Sequence, residues 1–130
     1  MTNKKQTLLL VEDEKDLRDI LSLKFTMEGF NVLEAENGKV GLKIALDKHP
    51  DLILLDIIMP VLSGTLMLKE LQKDQWGKNV PIIFLSNLSE SENIEQNLEK
   101  NVRGYFVKSD WEPDDLAILI KKILKNNKKI

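Results

Sequence analysis

Short, nearly unbroken apolar runs alternate along this chain with longer segments whose apolar positions recur every three or four residues. The runs at 6–11, 30–35, 51–55, 80–86 and 104–108 predict strands, the second of them alternating like a half-buried edge strand. Between them, Leu17, Ile20, Leu21 and Phe25, with Lys24 on the same face, predict a helix over 15–28 that Gly29 terminates. Asn37 caps a second helix through Val40, Leu42, Ile44, Ala45 and Leu46, and Pro50 ends it. A third is expected from Gly64 to about residue 75. Ser89 and Glu92 have the spacing of a capping box, which opens a fourth helix to about residue 100. Pro113 in a first turn rich in acids opens the last, with Leu116, Leu119, Ile120, Ile123 and Leu124 as its buried stripe.

Five strands alternating with five helices predict an α/β fold, an open doubly wound sheet. Runs as apolar as Leu52–Leu55 suit strands covered on both faces, and in such sheets ligands sit beyond the carboxyl ends of the strands. That rule gives meaning to Asp56, a lone carboxylate ending an apolar strand. Glu12 and Asp13 follow the first strand, Ser86 ends the fourth and Lys108 the fifth, all on the same side. Three neighbouring carboxylates repel one another. A hard divalent cation such as Mg²⁺, together with the lysine ammonium, relieves that repulsion.

Composition narrows the picture. The 130 residues are 42% hydrophobic, enough for one core, so a single domain is expected over 1–130, with its core at about 6–125 and a polar tail at 126–130. Nineteen Lys and Arg against 21 Asp and Glu give a formal charge of -2, which predicts no direct nucleic-acid binding. There is no cysteine, so disulfide and thiolate chemistry are excluded, and a single histidine, His49, excludes a histidine-rich metal site. No 18-residue apolar window and no signal-peptide pattern appear, so a cytoplasmic protein with no membrane insertion is expected.

In this order and spacing the motifs resemble the receiver domain of two-component response regulators, of the chemotaxis-regulator type, over about residues 6–125. They are LLLVEDE with Glu12 and Asp13, GFNVLEAENG with Gly29 and Gly38, PDLILLDIIMPVLSG with Asp56, Met59, Pro60 and Gly64, IIFLS with Ser86, and GYFVK with Tyr105 and Lys108. The resemblance implies a flavodoxin-like (βα)5 sheet of order 2-1-3-4-5. It implies Asp56 as phosphoryl acceptor, with Mg²⁺ held by Asp13, Asp56 and the Ile58 backbone carbonyl, and by Glu12 through water. Lys108, Ser86 and the amide of Asn87 would stabilise the phosphoryl group. Ser86 and Tyr105 would form the switch that reshapes a surface on the fifth strand and its flanking helices. The implied partners are a sensor histidine kinase or phosphotransfer protein and a downstream protein, with the chain a monomer or weak homodimer, stand-alone or part of a longer protein.

Some positions depart from the family pattern. Ser109 stands where a proline preceded by a cis bond is usual, 109–116 looks one residue long, and Trp111 takes the place of the packing aromatic. Asn87 replaces a small residue, and Asn101 stands at a usual glycine, where a left-handed backbone is expected. Trp76 is either a loop anchor or an exposed contact. His49 is expected at a helix end, at the opposite end of the sheet from the acids. Alternative functions for such a sequence are a pseudo-receiver acting without phosphorylation, a Mg²⁺-dependent phosphatase working through an aspartyl phosphate, and a flavin carrier. The last lacks an amide-rich cradle after the first strand.

Overall fold

The computed structural model describes residues 5–57, 59, 61–86, 101–108 and 112–127, with the side chains of Tyr105 and Asn127 excepted. The strands are β1 (Thr7–Val11), β2 (Asn31–Ala35), β3 (Leu52–Asp56), β4 (Ile82–Ser86) and β5 (Val102–Val107). The described helices are α1 (Lys15–Met27), α2 (Gly38–Lys48), α3 (Gly64–Leu71) and α4 (Pro113–Asn127). The expected fourth helix, with its Ser89–Glu92 capping box, lies outside the described residues, as do Ile58, Asn87, Ser109 and Trp111.

All strand pairs are parallel and the order is β2-β1-β3-β4-β5, as the resemblance implied. Strand side chains alternate between faces, so each apolar run feeds two cores at once. Leu9, Val11, Ile53, Leu55, Ile82 and Phe84 pack on one face with Ala45 of α2 and Met67, Leu68 and Leu71 of α3. Leu8, Leu10, Leu52, Leu54, Ile83 and Leu85 pack on the other with Leu21 and Phe25 of α1 and with Leu116, Ile120 and Leu124 of α4. This two-sided burial is why the central strands read as continuous hydrophobic runs. At the sheet edge, β2 keeps Asn31 and Glu34 exposed.

Local signals act as expected at most junctions. Gly29 leaves α1 at φ 100, and the Asn37 side chain accepts the Val40 N–H at 2.9 Å. The third helix is shorter than the spacing suggested and stops at Leu71. The Asp74 carboxylate accepts the Gly77 N–H at 2.8 Å, and the chain doubles back so closely that a Cβ on Gly77 would lie 2.4 Å from the Leu71 carbonyl oxygen. Trp76 is an anchor for that loop: it packs on the α2/α3 core and stacks on His49, with ring centroids 4.3 Å apart and planes 10° apart. His49 itself caps α2 in the left-handed region and precedes β3, away from the acids.

The expectation for Asn101 is corrected. Among the described residues other than glycine, only His49 and Val61 have positive φ. Asn101 is instead a buried tie: its Nδ2 donates to the carbonyls of Val80 at 2.8 Å and Gly77 at 3.2 Å, and its Oδ1 accepts from Gln72 Nε2 at 2.5 Å. A glycine there would leave those groups without this partner.

Val61 carries the backbone strain, at φ 72 in the β3–α3 connection and 73% exposed. A β-branched side chain is costly in that conformation, whereas asparagine tolerates it. Val61→Asn is expected to raise stability by about 1 kcal/mol, read as a higher urea midpoint with an unchanged slope.

Candidate functional site

Beyond Val11 and Asp56 the central strands deliver their polar residues to one edge, at the point where the chain order of the strands reverses between β1 and β3. Glu12 is held there by its N–H, which donates to the Ala35 carbonyl of β2 at 3.0 Å. Its side chain is fully buried, and one oxygen, Oε2, accepts the Glu14 N–H at 3.0 Å. Asp56, 3% exposed, ends β3 beside it, and Asp13 is exposed at the rim. Oxygens of these three carboxylates lie within 4.8 Å of one another, an arrangement that can hold a metal ion.

Lys108, just past the end of β5, reaches across β4's carboxyl end into this cluster. Its Nζ stands 3.0 Å from Glu12 Oε1, 3.1 Å from Asp56 Oδ2 and 3.8 Å from Glu14 Oε1, and the side chain is 13% exposed. Ser86 fixes the base of this arm, because its carbonyl accepts the Lys108 N–H at 2.6 Å. The Ser86 hydroxyl is buried and makes a long 3.4 Å contact to the Phe106 carbonyl.

The electrostatics are unbalanced. Burial, then the charge of Glu12, push the Asp56 carboxyl up to about 8, although Lys108 opposes them. Burial likewise raises Glu12, against the Glu14 N–H and Lys108. Burial works against the Lys108 ammonium, yet Glu12 and Asp56 outweigh it and hold the proton more tightly than usual. One lysine is therefore too little positive charge for this cluster. Glu12 Oε1 is buried against the Lys108 ammonium, 3.0 Å away, as an ion pair. Three converging carboxylates that share one ammonium offer the hard oxygen donors that suit a divalent cation.

Asp56 thus holds its proton more tightly folded than unfolded, so without a divalent ion its contribution is largest below the ordinary carboxyl value and is lost as pH rises towards about 8. Asp56→Asn is expected to flatten that decline and to make the metal-free protein more stable at pH 8, by on the order of 2 kcal/mol. Urea unfolding in EDTA at pH 5 and pH 8 measures it. An unchanged difference between the two pH values would contradict the buried repulsion.

Of the residues singled out from the sequence, Glu12, Asp13, Asp56 and Lys108 come together, and Ser86 lies at the same edge. Ile58, Asn87 and the Tyr105 side chain are outside the described residues. Two neighbours were not anticipated. Glu14 turns its carboxylate towards Lys108 instead of capping α1. Arg18 donates to the Glu12 carbonyl at 2.7 Å, a contact with no sequence signature because its acceptor is main chain.

The fold and site together define a doubly wound α/β domain with three clustered carboxylates, able to hold a divalent cation, at its strand ends. Residues 8–121 match the response regulator receiver domain family, and the chain belongs to it. It is 34% identical over 120 residues to the phosphate regulon transcriptional regulatory protein PhoB of Pseudomonas aeruginosa, covering 92% of this chain and 52% of that protein. It is 36% identical over 130 residues to a probable transcriptional regulator, ycf27, of Porphyra purpurea, covering 100% of this chain and 52% of that one. The chain thus spans about half the length of these curated relatives. Among solved structures, the receiver domain of a Francisella response regulator superposes with a TM-score of 0.85 at 30% identity, covering 95% of this chain and 100% of that one. The receiver domain of a Pseudomonas aeruginosa sensor histidine kinase, with a magnesium ion coordinated in its active-site cleft, gives 0.84 at 25% identity, covering 94% of this chain and 99% of that one. Among the described residues, no helix is long and apolar enough to cross a membrane.

Proposed function

We propose that this receiver domain takes a phosphoryl group onto Asp56 from a histidine kinase or phosphotransfer protein and thereby switches a protein-interaction surface. The observation that carries the reading is the Lys108 ammonium between two buried carboxylates, 3.0 Å from Glu12 and 3.1 Å from Asp56, beside the exposed Asp13. Phosphoryl transfer needs in-line placement and neutralisation of charge on the equatorial oxygens. Asp13 and Asp56, with the Ile58 carbonyl, would hold Mg²⁺ directly, and Glu12 through water. When bound, the ion neutralises carboxylate and phosphoryl charge. That the relative from a sensor kinase holds magnesium in its cleft supports this choice of ion.

Asp56 Oδ attacks phosphorus in line, the donor's leaving group departs with the bonding electron pair, and an acyl phosphate remains. Deprotonated Asp56 is the nucleophile, so the positive charge that opposes its raised pKa also activates it. Lys108 moves from the carboxylates to a phosphoryl oxygen, while Ser86 and the Asn87 amide donate to others. Drawing in the Ser86 hydroxyl leaves a long bond to Phe106 and shifts the balance of positions at Tyr105. Relatives named as a histidine kinase and as transcriptional regulators support a sensor kinase upstream.

Intact mass after incubation with Mg²⁺ and acetyl phosphate tests the reading. A gain of about 80 Da is expected that requires Mg²⁺ and is absent from Asp56→Asn. No adduct, with no stable complex with beryllofluoride either, would replace this reading with that of a pseudo-receiver.

A further inference from the structure

Glu12 and Asp13 leave β1 at the point where the sheet ladder stops. The Glu12 N–H makes its bond to Ala35 of β2, and the peptide joining Glu12 to Asp13 lies past the end of β1. The carbonyl of that peptide accepts Arg18 Nη1 at 2.7 Å. Arg18 stands one turn into α1, its side chain only 15% exposed, and its Nε lies 3.4 Å from Glu34 Oε1 on the edge strand β2. Ser22, a further turn along, donates to Glu34 Oε2 at 3.2 Å. The guanidinium is thus aimed from two sides: Glu34 orients one edge while the other holds the peptide that carries two of the three clustered carboxylates.

From this arrangement we infer that Arg18 is a positioning residue for divalent-cation binding, acting through the Glu12–Asp13 peptide and not on the cation. The inference rests on the reading of the carboxylate cluster as a metal site. A planar guanidinium holds a carbonyl and a carboxylate at once in fixed geometry, which a lysine cannot do. Partners that orient ligands from behind tune metal affinity although they never touch the metal. Arg18 is also a cation near the cluster, and this makes the direction of the effect diagnostic. If Arg18 acted only by its charge, its removal would relieve repulsion and tighten cation binding. If it acts by holding the peptide, its removal loosens binding in spite of that relief.

The test is calorimetric titration of the metal-free protein with Mg²⁺ at fixed ionic strength, for wild type, Arg18→Met, Arg18→Lys and Glu34→Gln, each shown folded by circular dichroism. Arg18→Met is expected to weaken Mg²⁺ binding about tenfold, the lower end of what outer partners of metal ligands contribute. Arg18→Lys, with its charge kept but the fork lost, is expected to recover only part of that. Glu34→Gln leaves Arg18 in place with a weaker anchor and is expected to weaken binding by a smaller factor that persists at high salt, where the effect of its lost charge is screened, so the inference is tested even if Arg18→Met does not fold. Unchanged or tighter binding in Arg18→Met, or in Glu34→Gln where only that variant folds, overturns the positioning role. Absence of Mg²⁺ binding by wild type overturns the metal-site reading, and this inference falls with it.

Discussion

Lys108→Met is expected to leave Mg²⁺ binding intact or tighter while slowing phosphorylation by acetyl phosphate about 10²- to 10³-fold, the loss typical of removing one preorganised donor from a developing anion. Methionine keeps the length of the side chain and much of its packing but removes the charge that lies 3.0 Å from Glu12 and 3.1 Å from Asp56. Two consequences then point in opposite directions. The carboxylates lose a competing cation, so a divalent ion meets less repulsion. In the proposed role the phosphoryl group loses its ammonium, which no neighbouring group among the described residues replaces in kind. Metal-free stability should fall by about 2 kcal/mol, less than the usual loss on breaking a buried pair, because Asp56, already raised to about 8, can shed its charge by keeping a proton. Intact-mass kinetics and Mg²⁺ titration separate the two effects. Phosphorylation at the wild-type rate would reduce Lys108 to a structural counter-ion.

How the fold was legible depends on where information lies in such a chain. The two-sided burial of β1, β3 and β4 writes itself as unbroken apolar runs, and Gly29 and Asn37 act through their own backbone or side chain, so local sequence reports them. The end of α3 has no local signal because it depends on a chain reversal in which Gly77 approaches Leu71, a contact between backbones. Asn101 was misread for a related reason: an asparagine that tolerates the left-handed region looks, in sequence, the same as one whose amide ties Gln72, Gly77 and Val80 together.

The site divides in the same way. Carboxylates at strand ends are visible because strand ends are visible, and topology alone brings Glu12, Asp13 and Asp56 together. What holds them in place was not visible. Arg18 acts on a main-chain carbonyl, and Glu14 reads as one more acid beside an acidic pair, though its carboxylate turns to Lys108. Side chains that do the chemistry are constrained in type, whereas groups that position them are constrained only in place.

Gly64→Ala tests that positioning most directly and is expected to destabilise the protein by roughly 3 kcal/mol, at the upper end for overpacking. A Cβ on Gly64 would lie 2.2 Å from the Asp56 carbonyl oxygen and 3.0 Å from both the Asp56 carbonyl carbon and Ile57 Cα. All three are backbone atoms, so no rotamer relieves the clash. To reach the 3.4 Å of ordinary contact, α3 must back away or the 56–57 peptide must shift. Neither is free, because the Gly64 N–H donates to the Ile57 carbonyl at 2.7 Å and Met67, Leu68 and Leu71 seat α3 in the core. The displaced peptide carries Asp56, the proposed phosphoryl acceptor, and a misplacement of about 1 Å can cost on the order of 10²-fold in rate. Gly104→Ala is the matched control, since its Cβ would meet only Leu119 Cδ2 at 3.5 Å, and its urea midpoint should stay close to that of wild type. Equal midpoints for the two variants would refute the close approach of α3 to Asp56. A fall in Gly64→Ala that leaves the phosphorylation rate unchanged would show instead that the acceptor is held from the β3 side alone.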